Sequence, residues 1–116
     1  MLQAVENAQS LASVLAEYHA ENVQVIDVRE NCTWTDFFVI ATVTSATHLQ
    51  GLERHIKEWC TEHNINIAHK SQRMSGESGS ELWHVIDLGT VVVHLMSEYA
   101  RSFYELERLW IIDSTG

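Results

Sequence analysis

Hydrophobic positions recur along the chain with two periods, and the switches between them predict its elements. Residues 2–18 place Leu2, Val5, Ala8, Leu11, Ala12, Leu15 and Tyr18 three or four apart, the spacing of a helix with one apolar face. Residues 22–28 (NVQVIDV) are short, alternating and β-branched, which predicts a strand. A polar stretch, RENCTWT, leads to FFVIATV at 37–43, a continuous apolar run typical of a strand covered on both faces. Thr44 or Ser45 can cap a helix running to about residue 63, with Leu49, Leu52, Ile56, Trp59 and Cys60 on one face. INIAH at 65–69 reads as a third strand, and KSQRMSGESGS as a loop of small and polar residues. LWHVID and VVVHLM, joined around Leu88, Gly89 and Thr90, predict a hairpin, and Ser97 can cap a short last helix.

The predicted order is α-β-β-α-β-β-β-α. The segment 37–69 should make a right-handed parallel crossover, and the remaining strand pairs should be hairpins. The fold class expected is α/β: a single domain with a mixed five-stranded sheet and packed helices. Residues 1–110 are expected to form that domain and 111–116 a loose tail.

Length agrees with one domain, since 116 residues suffice for one real core and leave no room for two. No apolar run approaches the ~20 residues that cross a bilayer, and MLQAVENAQS lacks the basic start and apolar block of a signal peptide. Cys32 and Cys60 are too few for a disulfide framework, so a reduced, cytoplasmic protein is expected. Charge narrows the choice of partners. With 16 acidic against 7 scattered basic side chains, the formal charge is −9. No Lys or Arg cluster can neutralise a row of phosphates, so a basic protein partner fits better than direct grip on nucleic acid.

Candidate catalytic chemistry is thin. There is no GxxxxGK[ST] or GxGxxG, and Gly76 and Gly79 precede neither a Lys nor a helix start. Cys60 and His63 form a C-x-x-H pair with His69 close behind, but a zinc site needs three or four converging ligands and Cys60 lies on an apolar face. His48 and His55 stand about two helical turns apart, too far to share one ion readily. Ser45 and His48 are i and i+3 across a helix start, the spacing of a dyad but also of a capping serine. Asp27, Asp36 and Asp87 lie singly near strand ends, and Glu105 and Glu107 point to different sides of their helix. No metal, no cofactor and no enzymatic activity are expected.

The C-terminal third is richer. Trp83, His94, Arg101, Phe103, Tyr104, Leu106, Glu107, Leu109 and Trp110 crowd together, and Trp, Tyr and Arg are the types enriched in interface anchors. Phe103 and Leu106 suit a helix that closes the core. Tyr104, Glu107 and Trp110 suit core and interface equally, and Arg101 could pair with Glu98 or Glu105 at helical spacing. His94, in an apolar strand, reads as a hydrogen-bonded core histidine.

Three blocks, WTDFFVIATVTSATH, ELWHVIDLGTVVVHLM and EYARSFYELERLW, resemble the signature of the ribosomal silencing factor family, also called Iojap-like proteins, over about residues 3–110. The resemblance implies a nucleotidyltransferase-like topology and a protein that is often a homodimer in isolation. It also implies a translational repressor that binds ribosomal protein fourteen of the large ribosomal subunit and sterically keeps the small subunit away. Trp83, Asp87, Arg101, Tyr104, Leu106, Glu107 and Trp110 fall on motif positions expected to bind the partner. Asp36, Ser45, His48 and His94 fall on positions expected to support the motif. The chain departs from the family at Val43, where relatives have Gly, at Thr47 for Arg and at Thr90 for Asp, and its 70–80 loop lacks a Gly-x-x-Gly run. A metal-dependent nucleotidyl-transfer enzyme and a homodimeric scaffold without a ribosomal role are the alternatives. Against the enzyme, no D-x-D or D-x-E stands on the strands concerned.

Overall fold

The continuous apolar run at 37–43 forms an interior strand of a sheet, with helices packed over it. The computed structural model describes residues 2–30, 33, 35–73 and 82–104. Its elements follow as α1 (Leu2–Glu17), β1 (Glu21–Asp27), β2 (Phe37–Val43), α2 (Ala46–Glu62), β3 (His69–Arg73), β4 (Trp83–Asp87), β5 (Val91–Ser97) and α3 (Glu98–Tyr104). The sheet is mixed, in the order β1-β2-β5-β4-β3: β1, β2, β5 and β4 make its body, and β3 adds an outer edge beyond β4. β2 and β5 are parallel, with Phe37 opposite Val91 and Val43 opposite Ser97, and every other neighbouring pair is antiparallel.

The position of the third strand differs from expectation. The third strand is His69–Arg73, not 65–69, so part of the predicted loop is strand. Ile65 and Ile67 are partly buried against the main core as the chain approaches the sheet, and their hydrophobicity serves packing rather than pairing. The segment from 37 on crosses between strands that run parallel, as expected, though they are not neighbours. β3 runs in the same direction as β2, but β5 and β4 lie between them, and the parallel neighbour of β2 is β5. The polar sequence HKSQR suits an edge, whereas VVVHLM is apolar enough for a slot buried on both faces.

The helix-covered face holds the larger core. Ala4, Ala8, Leu11 and Leu15 of α1, with Leu49, Leu52, Ile56, Trp59 and Cys60 of α2, pack on Phe37, Val39, Ala41 and Val43 of β2 and Val91, Val93 and Leu95 of β5. Full burial of each large aliphatic side chain contributes about 1.5–3 kcal/mol. The indole N–H of Trp59 donates to Ser10 Oγ at 2.9 Å and ties the two helices together. Alternate residues of the same strands face the other way, where Phe38, Ile40, Val92 and Met96 join Val28 and Ala100 in a second, smaller cluster.

Helix ends follow local chemistry. Ser45 is the cap of α2, its hydroxyl accepting from the His48 backbone N–H at 3.0 Å. Both long helices close on a left-handed residue, His19 (φ 75°) after α1 and Asn64 (φ 58°) after α2. The Ala20 N–H reaches back to the Leu15 carbonyl, and the Ile65 N–H to that of Cys60, so carbonyls of the last turns are satisfied. Ser97 caps α3 by accepting from the Ala100 N–H at 3.1 Å. Among the described residues, no helix is long and apolar enough to cross a membrane.

Candidate partner-binding site

Register places two of the singled-out aromatic residues together. In the β4–β5 ladder Trp83 lies opposite Met96 and Val85 opposite His94, so Trp83 and His94 are diagonal neighbours on the face away from α1 and α2. The Trp83 indole Nε1–H donates to His94 Nδ1 at 3.1 Å. The Phe38 ring meets the His94 imidazole edge-on, with centroids 4.7 Å apart. His94 is 6% exposed, and burial holds its imidazole neutral, with a pKa pulled down from 6.5 to about 4. Because Nδ1 accepts, the single ring proton sits on Nε2, which is buried and has no hydrogen-bond partner among the described residues. Trp83 itself is only partly buried and forms an aromatic step on this face.

Arg101 of α3 points inward from the same side. Its guanidinium donates to Thr42 Oγ1 at 3.0 Å on β2 and to the Asn22 carbonyl at the bulged, left-handed start of β1. It is 8% exposed and holds α3 to two strands through these bonds. Asp87 ends β4, and its Oδ1 accepts from the Gly89 N–H at 2.8 Å, closing the hairpin turn. Tyr104 is the last residue of α3. Its side chain and that of Phe103 lie outside what is described, as do Leu106, Glu107, Trp110 and the 111–116 tail.

The upstream motif residues flank β2, Asp36 before its start and Ser45 and His48 after its end. Asp36 is joined to the hairpin through its backbone, its N–H donating to the Thr90 carbonyl at 3.0 Å. His48 Nδ1 accepts from the Thr44 N–H at 3.1 Å, and its Nε2 donates to the Tyr18 carbonyl at 3.1 Å, bridging the end of α1 to the start of α2. Ser45 Oγ faces the His48 backbone rather than its ring, so the two do not form a nucleophile–base pair. The Cys60 thiol is buried, which pushes its pKa up. His63 stacks on Trp59 with centroids 4.0 Å apart and donates from Nδ1 to the Trp59 carbonyl. Among the described residues, no group of three or more His, Cys, Asp or Glu side chains could hold a metal ion.

One feature escaped sequence reading. A groove of about 230 Å³ between α1 and α2 is lined by Glu17, Tyr18, His55, Glu58 and Glu62, and the Tyr18 and His55 rings stack 3.6 Å apart and 8° from parallel. The signal was the spacing of His55, Glu58 and Glu62 along one helix face; the stack across helices had none.

The described residues form a layered α/β fold in which the partly exposed Trp83 lies on the sheet face away from α1 and α2. A crystal structure of a Chromobacterium violaceum protein has the same fold, with a TM-score of 0.76 and 24% identity over 90% of this chain and 84% of that one. The family described as "Ribosomal silencing factor during starvation" matches residues 2–115. The Treponema pallidum ribosomal silencing factor is 41% identical over 89% of this chain and 88% of its own length. An Iojap-related mitochondrial protein of Arabidopsis thaliana is 36% identical over 89% of this chain, which spans 55% of that longer relative. The chain belongs to the ribosomal silencing factor family.

Proposed function

We propose that this protein is a cytoplasmic translational repressor that docks on the large ribosomal subunit through ribosomal protein fourteen and sterically prevents the small subunit from joining. The observation that carries the reading is the family match over residues 2–115, which takes in all three signature blocks. Physical features support it. A net charge of −9 favours a basic protein surface over bare RNA. The Trp83 face offers an aromatic anchor of the kind that dominates interfaces, and occlusion needs a rigid body rather than an active site. Trp83, Tyr104, Leu106, Glu107 and Trp110 are the proposed contact residues. Asp87 and Arg101 serve the same surface by shaping the turn and seating α3. Off the ribosome the protein is proposed to be a homodimer on a nucleotidyltransferase-like scaffold, without that enzymatic activity.

Co-sedimentation with purified large subunits tests the reading. The wild-type chain should pellet with them, and Tyr104→Ala combined with Glu107→Ala should weaken binding at least tenfold while leaving the circular dichroism spectrum unchanged. Undiminished co-sedimentation of the double variant would refute the contact surface. Turnover of labelled nucleoside triphosphates with magnesium or manganese would refute a purely binding role.

A further inference from the structure

His94 is an expensive way to fill a core position. It sits in the central strand β5 at 6% exposure, against Phe38, and its Nε2–H has no partner among the described residues. A buried donor left unsatisfied loses its hydration without compensation, and an aliphatic side chain would avoid that loss. What an aliphatic residue could not supply is the acceptor at Nδ1, 3.1 Å from the Trp83 indole nitrogen. That bond spans a diagonal between β4 and β5, and it engages the polar atom of a ring that is otherwise partly open to solvent. An indole without such an acceptor could rotate to offer its N–H outward. With it, the ring is held in one orientation and meets an incoming surface by its carbon face, the part that attracts cationic and apolar side chains.

We propose that His94 is the positioning residue of Trp83: its Nδ1 captures the indole N–H and so fixes the aromatic step on which the ribosomal partner docks. This rests on the reading that the Trp83 face belongs to the docking surface.

The test combines three variants with a binding and a spectroscopic measurement. His94→Phe fills the space without an acceptor. His94→Asn places an amide oxygen near Nδ1 and retains the acceptor without the Nε2–H. Trp83→Phe removes the indole donor and identifies its ¹⁵N–¹H cross-peak among those of the other tryptophans. His94→Phe should move the Trp83 indole cross-peak and weaken co-sedimentation with large subunits about fivefold, and His94→Asn should restore both. In a Trp83→Phe background neither substitution at His94 should weaken binding further. Binding of His94→Phe within twofold of wild type would overturn the inference, as would a His94→Asn protein that keeps the indole shift yet binds as weakly as His94→Phe. Should His94→Phe fail to fold, the comparison of Trp83→Phe with Trp83→Phe/His94→Asn decides: a further fivefold loss overturns the inference and equal binding supports it. Failure of the wild-type chain to co-sediment would instead count against the docking reading itself.

Discussion

At the scale of single residues, the neutral state of His94 has a consequence for stability. Its pKa is about 4 when folded, against 6.5 when exposed, so between those values the unfolded chain binds a proton that the folded chain refuses. Stability therefore falls as the pH drops from about 6.5 towards 4, by up to roughly 3 kcal/mol if the whole shift is realised. Chemical denaturation at pH 7, 5.5 and 4.5 should show that decline, and His94→Asn, which cannot titrate, should flatten it. Equal slopes for the two proteins would show that His94 does not govern the window. Asp27 acts separately. Its pair with Arg29 holds the carboxyl below its usual range, so its contribution persists above 3.8 and is lost only at lower pH. Sequence reading reached His94 as a hydrogen-bonded core histidine but not its partner, because Trp83 lies eleven positions away and only the strand register makes them neighbours. Arg101 was harder still: Thr42 and the Asn22 carbonyl are local to it only after β1, β2 and α3 have assembled.

At the scale of elements, legibility followed the strength of the hydrophobic period. α1, α2, β2 and the β4–β5 hairpin were readable because each buries a regular set of apolar positions. β3 was not, since an edge strand needs no apolar face and its apolar neighbours Ile65 and Ile67 suggested the wrong register. The hairpin turn was legible as D-x-G, and its geometry shows why glycine stands there. Gly89 has φ +95°, and nothing lies within 4 Å of where a Cβ would be, so any penalty for a side chain is conformational rather than a clash. Gly89→Ala should thus cost about 1–2 kcal/mol in thermal or chemical denaturation, with the loss arising from backbone strain. A smaller loss would mean that the turn relaxes out of the left-handed region. Because this turn also receives the Asp36 and Phe37 N–H groups on the Thr90 carbonyl, strain in it is transmitted to the start of β2 as well as to β4 and β5.

At the scale of the whole molecule, shape and charge bear on docking together. The body measures 40 × 38 × 23 Å with a radius of gyration of 13.5 Å. Its charge of −9 has opposite effects on the two chemistries a ribosome presents. A basic protein attracts the chain over roughly a Debye length, ~10 Å at 0.1 M salt, while the surrounding RNA repels it. Adding salt weakens both, so the sign of the salt effect should depend on what is offered. Association with the proposed partner, isolated ribosomal protein fourteen, should slow several-fold between about 50 and 500 mM potassium chloride, with much less change in dissociation, since charge steering acts mainly on encounter. Association with intact large subunits should slow less or even quicken, because screening also removes the RNA repulsion. Stopped-flow measurement on both targets would separate these cases. If salt left association with the isolated protein unchanged or accelerated it, attraction to a basic partner could not be what brings this acidic chain to the ribosome.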